Sequence, residues 1–353
     1  MQGSIPPSRY STANPLKAKP ETASSPNLLA PRFWPTWLGL ALVRLLQRLP
    51  YRLQLAAGPA LGRLFMWLNP YRRQVVKTNL ELCFPQQDDS QRQQLYQRFV
   101  ESLGLSMIEE AASIWASDKF FDRMGTVQGL EHLETAQAQG KGVLLLSGHF
   151  CSVDFAGRLL IKHYPVCFTY QELRNPVSNH ILTATREKYV NRLIHRHDIR
   201  GFIKALKAGE VVWYAPDQSQ DRKNSVFAPF FGIQANTLTA TSKLARISGA
   251  AVLPFEIERL PDASDGYALT IRPPLENFPG DSETADAIRF NALIEAQVRK
   301  HPEQYLWIHR RFKERPEGEE KFYPSKPRRV KRRERRLKKH LARVRAEQAS
   351  REK

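Results

Sequence analysis

The sequence predicts an α/β fold: a mixed, mostly parallel sheet flanked by helices, behind a hydrophobic N-terminal segment. Two observations predict it. From about residue 127, short apolar runs alternate with amphipathic stretches of helical period, the pattern of strands covered by helices on both faces. The 353 residues, 42% hydrophobic and 25% charged, are enough for one large core or two modest ones.

The elements follow in chain order. Residues 1–30 are polar and Pro/Ser-rich, which predicts a disordered N-terminus. They contain no apolar core of a cleavable leader. A hydrophobic segment occupies 31–70, with an apolar region from Phe33 to Leu68 that Arg44, Arg48, Arg52 and Arg63 interrupt and Pro50 splits. Neither half offers the roughly 20 apolar residues of a clean spanning helix. Trp34, Trp37 and Trp67 suit a membrane interface, so membrane association is expected. A pair of amphipathic helices capping the core is the alternative. The main domain is expected over 71–318. It opens with helices over Tyr71–Leu82 and Ser90–Ile114. The predicted strands are Val143–Leu146, Val166–Thr169, Val211–Tyr214, Ala251–Phe255 and Ala268–Ile271. The predicted helices between and after them are Val153–Lys162, Pro176–Leu193, Gly201–Ala208, Thr237–Ser248 and Glu283–Lys300. A basic tail, 319–353, ends the chain.

The net charge is +19, and the stretch from Lys326 to Lys353 holds 14 Lys/Arg against 3 Asp/Glu. Such an excess points to an anionic partner. Nucleic acid would explain the tail but not the apolar 33–68 region, and no RNA-binding signature is present. A non-catalytic membrane scaffold would explain both but not the chemistry below. Cys83, Cys151 and Cys167 show no zinc spacing. No glycine-rich phosphate loop with a following Lys occurs, and nothing calls for a cofactor or a metal.

The chemistry is carried by GVLLLSGHFCSVDFAGRLL, from Gly142 to Leu160. An apolar strand ends at Ser147–Gly148, His149 follows in the turn, and a helix starts near Ser152. Asp154 then falls in the first helical turn and can fold back on the imidazole. A carboxylate there would fix the tautomer and stabilise the imidazolium as His149 takes a proton. His-x4-Asp alone is also the pattern of a surface His beside a capping Asp. Its position at a strand's carboxyl end, where ligands bind in open α/β sheets, favours function.

His149-Phe-Cys-Ser-Val-Asp154 resembles the HX4(D/E) motif of glycerolipid-type acyltransferases. NLELCFP at 79–85, ALKAGEVVWYAPDQ at 205–218, SVFAPFFG at 225–232, LARISGAAVLPF at 244–255 and PEQYLWIHRRFKERPEG at 302–318 extend the likeness. Together they resemble the late acyltransferases of lipid A biosynthesis over roughly residues 31–318, the lauroyl-transferring branch nearest. The resemblance implies a glycerolipid-acyltransferase-like fold and His149 as general base. Asp154 stands where many members carry Glu. Arg186 and Asp217 match residues the family needs. Gln171 departs from the family's frequent Arg, with Arg174 nearby. Implied partners are an acyl–acyl carrier protein as donor, a Kdo-bearing lipid A precursor as acceptor, and the cytoplasmic face of the bacterial inner membrane. An acyltransferase of the same fold acting on another glycolipid or aminolipid is the alternative.

Read from the residues themselves, Asp217 follows the strand VVWYAP and can face the same cleft as His149, or cap a turn. Arg186 suits an oxyanion with its forked donors, or belongs to a solvated helix face. His309, Arg310 and Arg311 follow YLWI and could meet an anionic head group or form surface ion pairs. Cys151 could form an acyl-enzyme, but the family motif needs no Cys there, so packing is its expected role.

Overall fold

The computed structural model of the protein describes residues 27–219 and 224–325. Most of the expected disordered N-terminus and most of the expected basic tail lie outside the described residues.

Two helices come first, α1 (Trp34–Leu46) and α2 (Tyr51–Leu68). Trp34, Leu38, Leu42 and Leu45 of α1 repeat at helical spacing and are each more than half exposed. They give α1 an exposed apolar face. No described helix is long and apolar enough to cross a membrane. Then follow α3 (Pro70–Cys83) and α4 (Asp89–Trp115). A capping box starts α4: Gln91 N donates to Asp88 Oδ1 at 2.8 Å, and Asp88 N donates to Gln91 Oε1 at 2.9 Å.

Gly58 and Gly62 of α2 lie directly on Gly104 of α4. A Cβ on Gly62 would meet Val100 O at 2.0 Å, and one on Gly104 would meet Gly58 O at 1.8 Å. Only glycine permits backbones this close. The hydrophobic segment is thus welded to the following domain.

The short α5 (Asp118–Phe121) leads into β1 (Gly125–Gln128), α6 (Leu130–Ala138), β2 (Val143–Leu146), α7 (Val153–Leu160), β3 (Val166–Tyr170), α8 (Pro176–Arg186), β4 (Arg192–His195), α9 (Ile199–Lys207) and β5 (Val211–Tyr214). A hairpin of β6 (Ser225–Phe230) and β7 (Ile233–Leu238) follows, then α10 (Ala240–Ser248), β8 (Ala251–Arg259), β9 (Tyr267–Ile271) and α11 (Glu283–Lys300). Seven strands form one sheet in the order β1-β9-β8-β2-β5-β3-β4. Only β8 and β9 pair antiparallel within it. The expected α/β class, mixed and mostly parallel, holds. Every residue of central β2 is buried, as a strand covered on both faces requires.

Two expectations needed correction. The helix predicted over Pro176–Leu193 stops at Arg186, and Arg192–His195 form edge strand β4. An edge strand is covered on few sides, so its sequence carries no apolar run to announce it. The helix predicted from Thr237 starts at Ala240, because Ile233–Leu238 pair with β6. The two-residue turn is Phe231–Gly232, both at positive φ (51° and 76°), the backbone a tight hairpin demands.

Candidate active site

Strands β2 and β5 are parallel neighbours in register, Leu146 opposite Tyr214. The loops leaving their carboxyl ends therefore run side by side. His149 is on the first and Asp217 on the second.

Asp217 grips His149 twice. The imidazole Nδ1 hydrogen-bonds Asp217 Oδ1, and the His149 backbone N–H donates to Asp217 Oδ2 at 2.8 Å. The Tyr305 hydroxyl donates to the same Oδ2 at 2.9 Å. Asp217 is buried, while a quarter of the His149 side chain (27%) is exposed. Burial works against the Asp217 charge. The His149 charge and the donors around it prevail and hold the carboxyl well below the usual carboxylate range. Burial likewise opposes protonation of His149. The Asp217 charge, its hydrogen bond and the Asp154 charge outweigh it, and the His149 pKa lies above its ordinary 6.5. No hydrogen bond reaches His149 Nε2 among the described residues.

The backbone around His149 is clamped from the other side. Leu306 N donates to His149 O at 3.0 Å, and Cys151 N donates to Gln304 O at 2.7 Å. An antiparallel bridge joins Phe150 to Tyr305. The clamping segment is held in turn by Asn79, whose amide donates to Trp307 O at 2.7 Å and His309 O at 2.8 Å. NLELCFP and PEQYLWIHRR thus meet at one place in the fold.

The expected His149–Asp154 pairing is corrected by the geometry. Asp154 sits in the first turn of α7, as anticipated, but its carboxylate pairs with Arg186 of α8. No hydrogen bond joins it to His149 among the described residues. A helix start four residues after His149 carries Asp154 towards α8, leaving the imidazole to the adjacent strand's loop. Asp154 acts on His149 through its charge. Glu110 of α4 completes this acidic corner. Its side chain is exposed along part of its length, yet desolvation and then the Asp154 charge push its carboxyl up to about 7, against the pull of Arg186.

Arg310 and Arg311, expected together at an anionic head group, part company. Arg311 is buried and donates to Asn236 O at 2.7 Å, Thr237 Oγ1 at 2.9 Å and Asn291 Oδ1 at 3.0 Å. It fastens β7 to α11 and is not free for substrate. Arg310 remains partly exposed.

His309 comes within reach of the site: its ring centroid is 5.8 Å from that of His149. Its Nε2 lies 3.1 Å from the Gln218 amide nitrogen, which makes that ring nitrogen an acceptor. Burial first, then the His149 charge, depresses its pKa to about 4, so it stays neutral. Tyr305, Gln218, Asn79 and Glu110 were not singled out from the sequence. The first three lie inside the motif segments already quoted, which was the available signal. Glu110 lies in a long helix and had none.

An apolar cavity of about 230 Å³ adjoins Asp154. Phe65, Leu103, Met107, Phe150, Phe155 and Leu306 supply its greasy lining. Cys151 also borders it, its thiol pushed up to about 12 by burial. A thiol so reluctant to ionise suits packing better than nucleophilic attack.

Comparisons with known proteins point to one family. The family model described as bacterial lipid A biosynthesis acyltransferase matches residues 21–314. The lipid A biosynthesis lauroyltransferase of Escherichia coli is 39% identical over 292 residues, 82% of this chain and 95% of that protein. The palmitoleoyltransferase of the same organism is 38% identical over 86% of this chain and 99% of its own length. The myristoyltransferase is 29% identical over 84% and 92%.

Proposed function

The chain belongs to the family of bacterial lipid A biosynthesis acyltransferases, and from that premise we propose that it moves a fatty acyl chain from acyl carrier protein to a hydroxyl of a Kdo-bearing lipid A precursor, with His149 as general base. The observation that carries the mechanism is the grip of buried Asp217 on His149 Nδ1. That bond assigns the proton to Nδ1 and leaves Nε2 basic and free for the acceptor hydroxyl. Nε2 takes the hydroxyl proton as the oxygen attacks the thioester carbonyl. Asp217 stabilises the imidazolium so formed. The tetrahedral intermediate collapses, the carbon–sulfur bond breaks, and the thiolate takes the proton back from His149. Proton and electron pair are both accounted for, and no second acyl carrier on the protein is needed.

The cavity beside Phe150 supports the same reading. Its apolar wall suits a hydrocarbon chain, and its acidic corner lies beside the loop that carries the base. The exposed Leu and Trp face of α1, with Leu64, Trp67 and Leu68 of α2, supports attachment to a bilayer. Helices not long and apolar enough to span, carrying Arg beside Trp, suit the interfacial plane. A thioester donor places the work on the cytoplasmic face of the inner membrane.

The test is purified protein with a panel of acyl–acyl carrier proteins and a tetra-acylated, Kdo-bearing acceptor, products weighed by mass spectrometry. One added acyl ester is expected. No transfer to this acceptor, with transfer to another glycolipid or aminolipid, would replace the substrate assignment. Lipid A of unchanged mass in a strain lacking the gene would count against it equally. Co-sedimentation with anionic vesicles tests the membrane face: Leu38→Asp with Leu42→Asp should abolish it.

A further inference from the structure

Two arginines beside the active site have no ion-pair partner among the described residues. Arg72 lies in the first turn of α3, and its Nη1 donates to Ile308 O at 2.7 Å. That bond sets its guanidinium against the segment carrying His309 and Arg310. Arg310 is near enough for its charge, after burial, to hold the Arg72 pKa below its ordinary value. His309 feels both the His149 charge and the Arg72 charge, so the imidazoles and the two guanidiniums form one neighbourhood. Among the described residues, neither Arg72 nor Arg310 has a carboxylate within ion-pair distance.

Several other buried or half-buried arginines behave differently. Arg158, Arg186, Arg192 and Arg259 each have a carboxylate partner. Bringing two guanidiniums together without one is unfavourable, and most so where water is partly excluded. An anion lying between them removes that penalty. After the bond to Ile308 O, Arg72 keeps four N–H donors and Arg310 has five. Forked donors on two sides match the tetrahedral oxygens of a phosphate ester better than a planar carboxylate.

We propose that Arg72 and Arg310 form a phosphate site beside His149, which seats a phosphate ester of one of the two substrates while His149 works on the hydroxyl. The assignment takes its substrates from the acyl-transfer reading above. Two sources share the chemistry: the phosphate on the acceptor's sugar and the phosphodiester in the donor's prosthetic arm. His309, neutral and tied to Gln218, fills the space between this site and the base without adding a charge that titrates near neutrality.

Arg72→Gln, Arg310→Gln and the double variant test it. Arg310→Gln guards against a folding defect, since no hydrogen bond of its guanidinium is seen among the described residues. Kinetics are measured with the phosphorylated acceptor and its dephosphorylated counterpart, and with acyl–acyl carrier protein and the acyl-pantetheine that lacks phosphate. The variants should raise KM about tenfold or more for whichever substrate bears the seated phosphate. Its phosphate-free counterpart should show the same KM in wild type and variants. The pair that shows this difference names the source. A separate arm follows inorganic pyrophosphate binding to the full chain by phosphorus NMR, with no turnover involved. Saturable binding that weakens about tenfold in Arg310→Gln supports the site. Unchanged KM for both substrate pairs overturns it. Should the wild type turn over neither acceptor, the acyl-transfer reading has failed. Pyrophosphate binding that is absent, or untouched by the substitutions, then overturns the phosphate site on its own.

Discussion

His149 and Asp217 each stand three residues beyond a register pair, Leu146 of β2 and Tyr214 of β5. Parallel pairing brings equal positions on the two exit loops together, so 68 residues of separation end in a doubly bonded contact. Asp217→Asn should therefore cost roughly three to four orders of magnitude in turnover, as loss of the tautomer-fixing carboxylate does in comparable triads. His149→Ala should cost roughly two to four. The double variant should be no worse than the more damaged single, because the pair works as a unit. Near-unchanged turnover in a folded Asp217→Asn protein would remove Asp217 from the mechanism.

Asp154 and Arg186 should behave as a second, separate unit. Each single alanine variant should lower activity by at least about tenfold, and the double should match the singles. Multiplicative losses for Asp154 and Arg186, with coupling of Asp154 to His149 instead, would restore the direct His149–Asp154 contact.

The pH profile has a definite sign. A general base works when deprotonated, and the His149 pKa lies above 6.5. The value of kcat/KM should rise with pH through an inflection above 6.5. Asp217→Asn removes the largest influence holding that pKa up, so the inflection of its residual activity should move down. His309, at about 4, should contribute no limb near neutrality. An inflection unmoved in Asp217→Asn would show that some other group sets it.

Much of this site was legible in advance, and the parts that were not share a cause. Leu144 and Val212 sit in runs of continuous apolar residues, so β2 and β5 could be read to the residue, and with them the loops bearing His149 and Asp217. Which carboxylate reaches the imidazole could not be read. Asp154 is nearer in sequence, and only the strand order, β2 beside β5, favours Asp217. Strand order is set by tertiary packing and has no local signature. Arg311 failed for a related reason. Its three acceptors come from β7 and α11, elements brought together only in the fold, and a charged residue after YLWI looks exposed in isolation.

Cys151 should be silent. With its thiol pushed up to about 12 and its side chain buried, Cys151→Ala should retain most activity. The native protein should resist thiol alkylation at this residue. A labelled acyl chain trapped on Cys151 in a quenched reaction would instead establish a two-step transfer.

Arg311 and Arg310 should separate cleanly. Arg311→Met takes the donor from three buried acceptors, of which Thr237 Oγ1 and Asn291 Oδ1 keep each other, and an unpaired buried polar group costs about 1–3 kcal/mol. A fall in unfolding midpoint should accompany any loss of activity. Arg310→Gln should leave the midpoint close to wild type. Equal melting behaviour for the two would contradict the burial difference between them.

The glycine contact between Gly58, Gly62 and Gly104 leaves no hinge between α2 and the rest of the enzyme. Gly104 belongs to α4, and so do Leu103, Met107 and Glu110 of the cavity wall. On the membrane reading, the same rigid piece floats on the lipid and measures the chain. How deep α1 and α2 ride then fixes the height of the cavity over the headgroups, as a hull's draught fixes its waterline. Gly62→Ala should cost about 1–3 kcal/mol by forcing the helices apart. It should also change the preference among donor chain lengths, since the wall moves with the hull. Cutting the chain before Pro70 to obtain a soluble enzyme should yield an unfolded one, because what such a cut removes is half of the keel.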